Sequence, residues 1–374
     1  MVRWFQRNDA RSLTEILQPT EREVEMHTDA YMLKVAKLEA EFKYKTKLND
    51  VDMTFLFLGA AIQVLRWSLV TNNSFRFQKD GDSEALLRKF ANNDITQKIL
   101  PATITDILTD PTVPYDAFRY TENFTKNNPD FSTGISGANH RYTTLGHDPL
   151  AGLLFGTANI VTNTLCVNKI FDFDFIPSYT VLNKKIDGRT NVASIMDCAA
   201  KELTNEPQKV GVAFLKQIVH AGTDVFTKQG LPLPFINSVS PDASKWLIGH
   251  NIDLYSVTRA VALAMTINKI VEMTHKLFFD AKRDDKRIYE AKTMKVVMYS
   301  NILSSLLNIG YVTVTQDYNR LDVGGIAVAL FKLLTTPSKI REIKMEFIDK
   351  VLSEEYSKQE DEINQQLARF GYHI

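Results

Sequence analysis

The chain is poor in cysteine: Cys166 and Cys198 are the only two in 374 residues. That scarcity excludes a disulfide-framed secreted fold and supplies no zinc-finger spacing. Charge of one sign is also lacking, with 44 basic against 44 acidic residues. A general nucleic-acid binder carries a basic surplus, so none is expected as a partner. The opening MVRWFQRNDARSLTEIL has no apolar core of a secretory signal, and the expected location is a reduced cytoplasm. No G-x-S-x-G elbow, phosphate loop or H-E-x-x-H helix occurs. Strand patterns are few: FDFDF at 171–175 and VTVT at 312–315 alternate but are short. They predict at most a small hairpin.

What is present is helical periodicity. The pattern predicts helices over 20–47, from Asp50 and Asp52 through MTFLFLGAAIQVLRW, and over 83–93, 148–167, 192–204, 207–228, 254–279, 285–313, 322–335 and 338–369. The expected fold is all-α, a multi-helix bundle with apolar core helices rich in small residues and long loops at 101–147, 171–191 and 229–252. One helical domain is expected over 1–374. Its ends, 1–47 and 338–374, read as peripheral amphipathic elements that pack on the body or join a second subunit. In the latter, Ile340, Ile343, Phe347, Val351 and, after a gap, Ile363, Leu367 and Phe370 share roughly one side of a charged helix.

A capping Asp precedes an apolar helix four times, at Asp52, Asp148, Asp253 and Asp322. The densest of these stretches is GHDPLAGLLFGTANIVTNT at 146–164. Gly152 and Gly156, four apart, predict one helix face that another backbone approaches closely, and Gly324 and Gly325 predict the same after Asp322. Two windows, 149–168 and 296–316, carry no charge. Polar residues dilute both, including Thr157 and Asn159 in the first and Ser300, Asn301, Ser304, Ser305 and Asn308 in the second. A core helix suits this mixture better than a lipid-facing one; conditional membrane insertion of these two windows is the alternative.

Chemistry is sought at two loop–helix junctions, both opening with Gly-His. His140, Arg141, His147 and Asp148 lie at the first, His250 and Asp253 at the second. If the junctions converge, His140, His147 and His250 are candidate metal ligands and the site is that of a metal- or phosphate-dependent enzyme. Adjacent His147-Asp148 resembles the dyad of helical HD phosphohydrolases, but Pro149 places it at a helix start rather than inside a helix. The plainer reading makes Asp148 a cap and His147 a loop-bonded histidine. Ser132, Thr133, Gly134, Ser136, Gly137 and Asn139 form a weak anion-wrapping run upstream. Asp280, Asp284 and Asp285, mixed with basic residues, read as a solvated turn. Cys166 and His220, each on an apolar helix, read as core. No cofactor is required by any of this.

The strings GHDPLAGLLFGTANI at 146–160, YSNILSSLLNIGYVTVT and LDVGGIAVALFKLL resemble uncharacterised bacterial proteins. These share a Gly-His-Asp-Pro…Phe-Gly-Thr-x-Asn-Ile segment and a Leu-Asp-x-Gly-Gly segment. The resemblance covers about half the chain and carries no activity. It implies a bacterial or phage-related origin and an accessory or antiphage role. With no strong catalytic motif, the sequence favours a protein acting through partner or homo-oligomer contacts.

Overall fold

A computed structural model describes residues 21–74, 82–120, 137–168, 176–227 and 230–369. The FDFDF run at 171–175, the anion-run residues 132–136 and the first twenty residues lie outside them. In chain order the first helices are α1 (Glu21–Lys45), α2 (Asp50–Leu69), α3 (Asp82–Ala91), α4 (Asp94–Ile99), α5 (Ala102–Thr109) and α6 (Ala151–Thr162). Strands β1 (Thr164–Cys166), β2 (Pro177–Leu182) and β3 (Lys185–Asn191) follow. The remaining helices are α7 (Val192–Asn205), α8 (Pro207–Val225), α9 (Ile236–Val239), α10 (Pro241–Gly249), α11 (Leu254–Lys276), α12 (Lys286–Thr315) and α13 (Val323–Arg369). The fold is mostly α, as the periodicity predicts. The chain divides into two compact units: Met1–Ala61 with Ile267–Ile302 and Ala329–Ile374, and Ile62–Thr266 with Leu303–Val328.

In the first unit the two charged ends pair. Leu38 and Phe42 of α1 are buried with Ile343, Ile348 and Leu352 of α13, and the Phe42 and Phe347 rings lie 5.8 Å apart. The first part of the C-terminal stripe, from Ile340 to Val351, is thus used inside the chain, while Ile363 is exposed. The turn before α12 is solvated, and Asp285 caps that helix by accepting from the Arg287 and Ile288 amides at 2.8 and 3.1 Å.

Three local expectations need correction. VTVT ends α12 rather than forming a strand, because the preceding helix holds its hydrogen-bond ladder through Thr315. The helices expected at 322–335 and 338–369 are one, and Pro337 lies inside it. Proline removes one helical N–H, and the helix continues through it. The helix expected over 148–167 stops at Thr162. Asn163, in the left-handed region with φ 53°, ends it, and the chain turns into β1. The uncharged window at 149–168 is therefore a twelve-residue helix plus a strand, too short to cross a bilayer.

The sheet is antiparallel in the order β1-β2-β3, with Leu165 opposite Tyr179 and Thr180 opposite Gly188. Asn183 and Lys184, at φ 50° and 59°, make the two-residue turn that such a hairpin prefers. The buried Leu165, Val167, Tyr179 and Val181 pack on Val113, Tyr115 and Ala117. Asn191 ends β3 and caps α7 by accepting from the Ala193 amide at 2.7 Å.

The glycines of GHDPLAGLLFG explain how α6 docks. A Cβ on Gly146 would fall 2.5 Å from the Tyr115 ring, and one on Gly152 2.5 Å from the Gly146 carbonyl oxygen. On Gly156 it would collide with the Gln217 amide. That amide has no freedom to yield: it accepts from the Tyr115 hydroxyl at 2.5 Å and donates to the Gly146 carbonyl at 2.9 Å. Gly156→Ala in a helix would ordinarily gain about 1 kcal/mol. Here overpacking wins, and we expect a net loss of roughly 1–3 kcal/mol, read as a lower thermal midpoint. An unchanged or higher midpoint would show that Gln217 can move. Gly324 plays the same part against the Val257 carbonyl, 2.5 Å from where its Cβ would stand.

Cys166 is buried with the Asn159 side-chain oxygen 3.3 Å away, and burial pushes its thiol up to about 11. Cys198 is exposed. A maleimide at neutral pH is expected to modify one thiol in the folded chain and two after denaturation, since the thiolate is the reacting form.

By length and composition, Lys286–Thr315 and Val323–Gln366 are apolar enough to cross a membrane.

Candidate metal centre

The four capping aspartates do different work. Asp148 accepts from the Leu150 and Ala151 amides at 3.0 and 2.9 Å and from the Phe235 amide at 2.7 Å. Both oxygens are thereby committed, so Asp148 is a structural cap and not a ligand. Asp253 exchanges hydrogen bonds with Ser256 at the start of α11. Asp52 is the third residue of a reciprocal box whose cap is Asn49, and Asp322 caps α13 through the Gly325 amide.

Because Asp148 holds the loop onto α6, His147 just before it is fixed and fully buried. His147 Nδ1 lies 2.7 Å from Thr144 Oγ1. When Nδ1–H donates to that hydroxyl, Nε2 presents its lone pair inward. There it meets Asp116 Oδ1 at 3.2 Å and His220 Nε2 at 3.3 Å. Asp116, on the 3-10 turn Pro114–Tyr120, also has His140 Nε2 at 3.4 Å and His220 Nε2 at 3.7 Å. His220 and Asp224 project from one face of α8, four residues apart. Asp224 Oδ2 stands 3.4 Å from His220 Nε2 and 3.6 Å from His147 Nε2.

Three imidazole Nε2 atoms and two carboxylate oxygens therefore converge. Donor atoms of Asp116, His147 and His220 all lie within 4.8 Å of one another. Four ligands bound tetrahedrally at about 2.1 Å stand about 3.4 Å apart, which is the spacing seen. Asp224 Oδ2 is buried and accepts no hydrogen bond among the described residues. A buried carboxylate oxygen without a donor is costly, and a cation between it and the imidazoles removes that cost.

The charges agree. Burial raises the Asp116 carboxyl, but the neighbouring His220, His140 and His147 rings outweigh it and hold it well below the usual range. Burial likewise works against Asp224, where the adjacent Arg141 guanidinium and the histidines outweigh it and leave its pKa lowered. Burial depresses His147 to about 4, so its ring is neutral and able to ligate at pH 7. Two carboxylates face the Arg141 guanidinium and the imidazoles, a mixed oxygen and nitrogen donor set that would suit a divalent cation. Arg141 donates to Asp224 Oδ1 at 2.6 Å and to Thr227 Oγ1 at 2.5 Å, which turns Oδ2 toward the histidines. Tyr115 sets its ring edge-on at 4.8 Å from His147 and 5.5 Å from His220.

Of the residues singled out by sequence, His140, His147 and Arg141 are brought together here. His250 is elsewhere: its Nδ1 bonds the Trp246 carbonyl at 2.8 Å, and its ring lies tilted against Trp246 and edge-on to Tyr318. The two Gly-His junctions therefore do not share a centre, because the second histidine closes the end of its own helix, α10. Asp253 is likewise occupied as a cap. His220, read as core, is a member of the centre. Sequence reasoning missed Asp116 and Asp224 altogether. The signal for Asp224 was present, since His220 and Asp224 at i, i+4 interrupt an apolar helix face. Asp116 in PYDAF carries no local signal.

A cleft in the first unit is lined by Glu272, Lys276, Arg287 and Glu290. These charges are paired, Lys276 to Glu272 and Arg287 to Glu290 and Glu346, so they leave no converging ligand set. The chain matches no family model, no curated protein and no solved structure.

Proposed function

We propose that the chain is a metal-dependent hydrolase whose centre is Asp116, His147 and His220, with Asp224 and His140 completing the cation's surroundings. The observation that carries this reading is the inward convergence of the His147 and His220 Nε2 atoms on a buried Asp224 oxygen that accepts no hydrogen bond among the described residues. Mixed nitrogen and oxygen ligands suit Zn²⁺, Mn²⁺, Fe²⁺ or Ni²⁺. A cation held by these residues would supply Lewis acidity and, where a water reaches it, would lower the pKa of that water. The protein's own part is to keep His147 neutral, to orient it through Thr144, and to aim Asp224 through Arg141. The expected role in subunit contacts remains a proposal, for which α13 offers the exposed Ile363 beyond the part packed on α1. A bacterial accessory or antiphage role is a proposal that rests on the resemblance alone.

The test is elemental analysis of the purified chain together with a thermal melt against added metal. One equivalent of a transition metal per chain is expected. Stripping it with a chelator is expected to lower the midpoint, and readdition at about 100 times the dissociation constant restores about 2.7 kcal/mol. Hydrolysis of chromogenic phosphoesters and carboxylic esters, assayed with and without that metal, then identifies the bond cleaved. No bound metal and no response of the midpoint to any of the four cations would sink the proposal.

A further inference from the structure

The long helices bury polar residues beside apolar ones such as Trp67, Val271, Val296 and Val328, and turn a second set of large apolar residues outward. On α12, Ser300, Asn301, Ser304 and Asn308 are buried, while Leu306, Leu307, Ile309 and Val314 are exposed, the last at 83%. A helix of a water-surrounded bundle turns its apolar stripe inward. The Ser300, Asn301 and Asn308 side chains find their partners within the protein. Asn268 and Asn301 bond each other side chain to side chain, at 3.3 and 2.7 Å, and the Asn308 amide donates to the Arg320 carbonyl at 2.8 Å. The pattern recurs on α2, where Gln63 and Arg66 are buried and Phe57, Leu58, Leu65 and Leu69 are exposed. It recurs on α11, with Asn268 buried and Met265, Ile270 and Met273 exposed, and at the start of α13, with Asp322 and Thr336 buried and Leu330, Phe331 and Leu334 exposed.

We propose that α2, α11, α12 and the first half of α13 are seated in a lipid bilayer, with these faces against the acyl chains. Acyl chains offer no competing hydrogen bonds, so they permit a polar interior and require an apolar exterior. Length fits as well. The uncharged run at 296–316 is about 20 residues, or about 30 Å of helix, which is the thickness of a hydrocarbon core. On α2 the charge nearest the apolar face, Arg66, is buried and neutralised by Asp322. Lys269, exposed on α11, pairs with Glu272 at 3.4 Å, and its long stem lets the ammonium reach a headgroup. A partner protein would explain an apolar surface but would not favour a polar interior behind it. Lipid explains both. The expectation of conditional insertion is replaced by permanent seating, and the helix at 149–168 takes no part.

The inference is independent of the hydrolase reading, and metal content measured on the same preparation separates the two. The expressed chain is expected to sediment with membranes, to stay there through an alkaline carbonate wash, and to be released by non-ionic detergent. A second measurement uses Leu307→Cys, carrying a bimane, reconstituted into phosphatidylcholine vesicles with spin-labelled acyl chains. Its fluorescence is expected to be quenched severalfold more than that of a bimane on Cys198. Equal quenching at the two positions overturns the proposal. So does recovery from the detergent-free supernatant, whether as a monomer or as a stable oligomer whose own copies cover these faces.

Discussion

His147→Ala will empty the metal centre. The substitution removes the nitrogen that stands 3.2 Å from Asp116 and 3.3 Å from His220, so two of the three innermost donors lose their common neighbour. Outer-sphere partners typically contribute 10–100-fold to metal affinity. Loss of an inner ligand is expected to exceed that, taking metal content from one per chain to near zero after dialysis and hydrolysis to background. Because the ring also packs 4.8 Å from Tyr115 and 4.9 Å from His140, the alanine variant loses packing as well as the ligand. His147→Gln separates the effects, since it fills most of the space without an imidazole nitrogen. Thr144→Val provides the graded control: it leaves every ligand in place but frees the imidazole to turn, and a 10–100-fold weakening is expected. If His147→Gln binds metal like the parent chain, the centre has been misassigned.

Arg66→Ala carries the largest expected loss of stability. The guanidinium donates through Nη1 to Asp322 Oδ1 at 3.0 Å and through Nη2 to Oδ2, and its Nε bonds Gln63 at 2.8 Å. Both side chains of the ion pair are about 5% exposed. Removing one member leaves a buried carboxylate without its charge partner, which costs about 3–5 kcal/mol. The double substitution Arg66→Met with Asp322→Leu removes both charges. It is expected to recover most of the loss, less about 1 kcal/mol for the helix cap that Asp322 supplies to the Gly325 amide. Unfolding midpoints of the two single variants and the double, taken in a solvent that keeps the chain monodisperse, decide the matter. A loss under about 1 kcal/mol for Arg66→Ala would mean that water reaches the pair.

Both predictions concern groups whose partners are distant in sequence, and that is where reading the sequence stops. Helical class, the apolar runs, the capping aspartates and the glycine spacing of 146–164 are properties of neighbours within a turn or two. Periodicity and local hydrogen-bonding rules are enough to recover them. Asp148 caps α6, and Gly152 and Gly156 face a close neighbour, as their spacing says. The sequence could not say that the neighbour is Gln217, nor that Gln217 is held by Tyr115. His140 and His147 were legible as candidate ligands because they share a loop. His220 looked like core because a buried packing residue and a member of a polar cluster produce the same pattern on one helix, an isolated polar residue among apolar ones. His250 looked like a ligand because Gly-His recurs, yet its hydrogen bond is spent four residues away.

The polar residues of 296–316 show the same division. The sequence by itself determined that α12 is uncharged and mixed in polarity. Only the tertiary structure decided which side each residue faces, because that depends on the helices packed around it. Composition is local, whereas convergence and exposure are set by pairs such as Asp116 with His220 and Asn268 with Asn301, which meet only when the chain has folded.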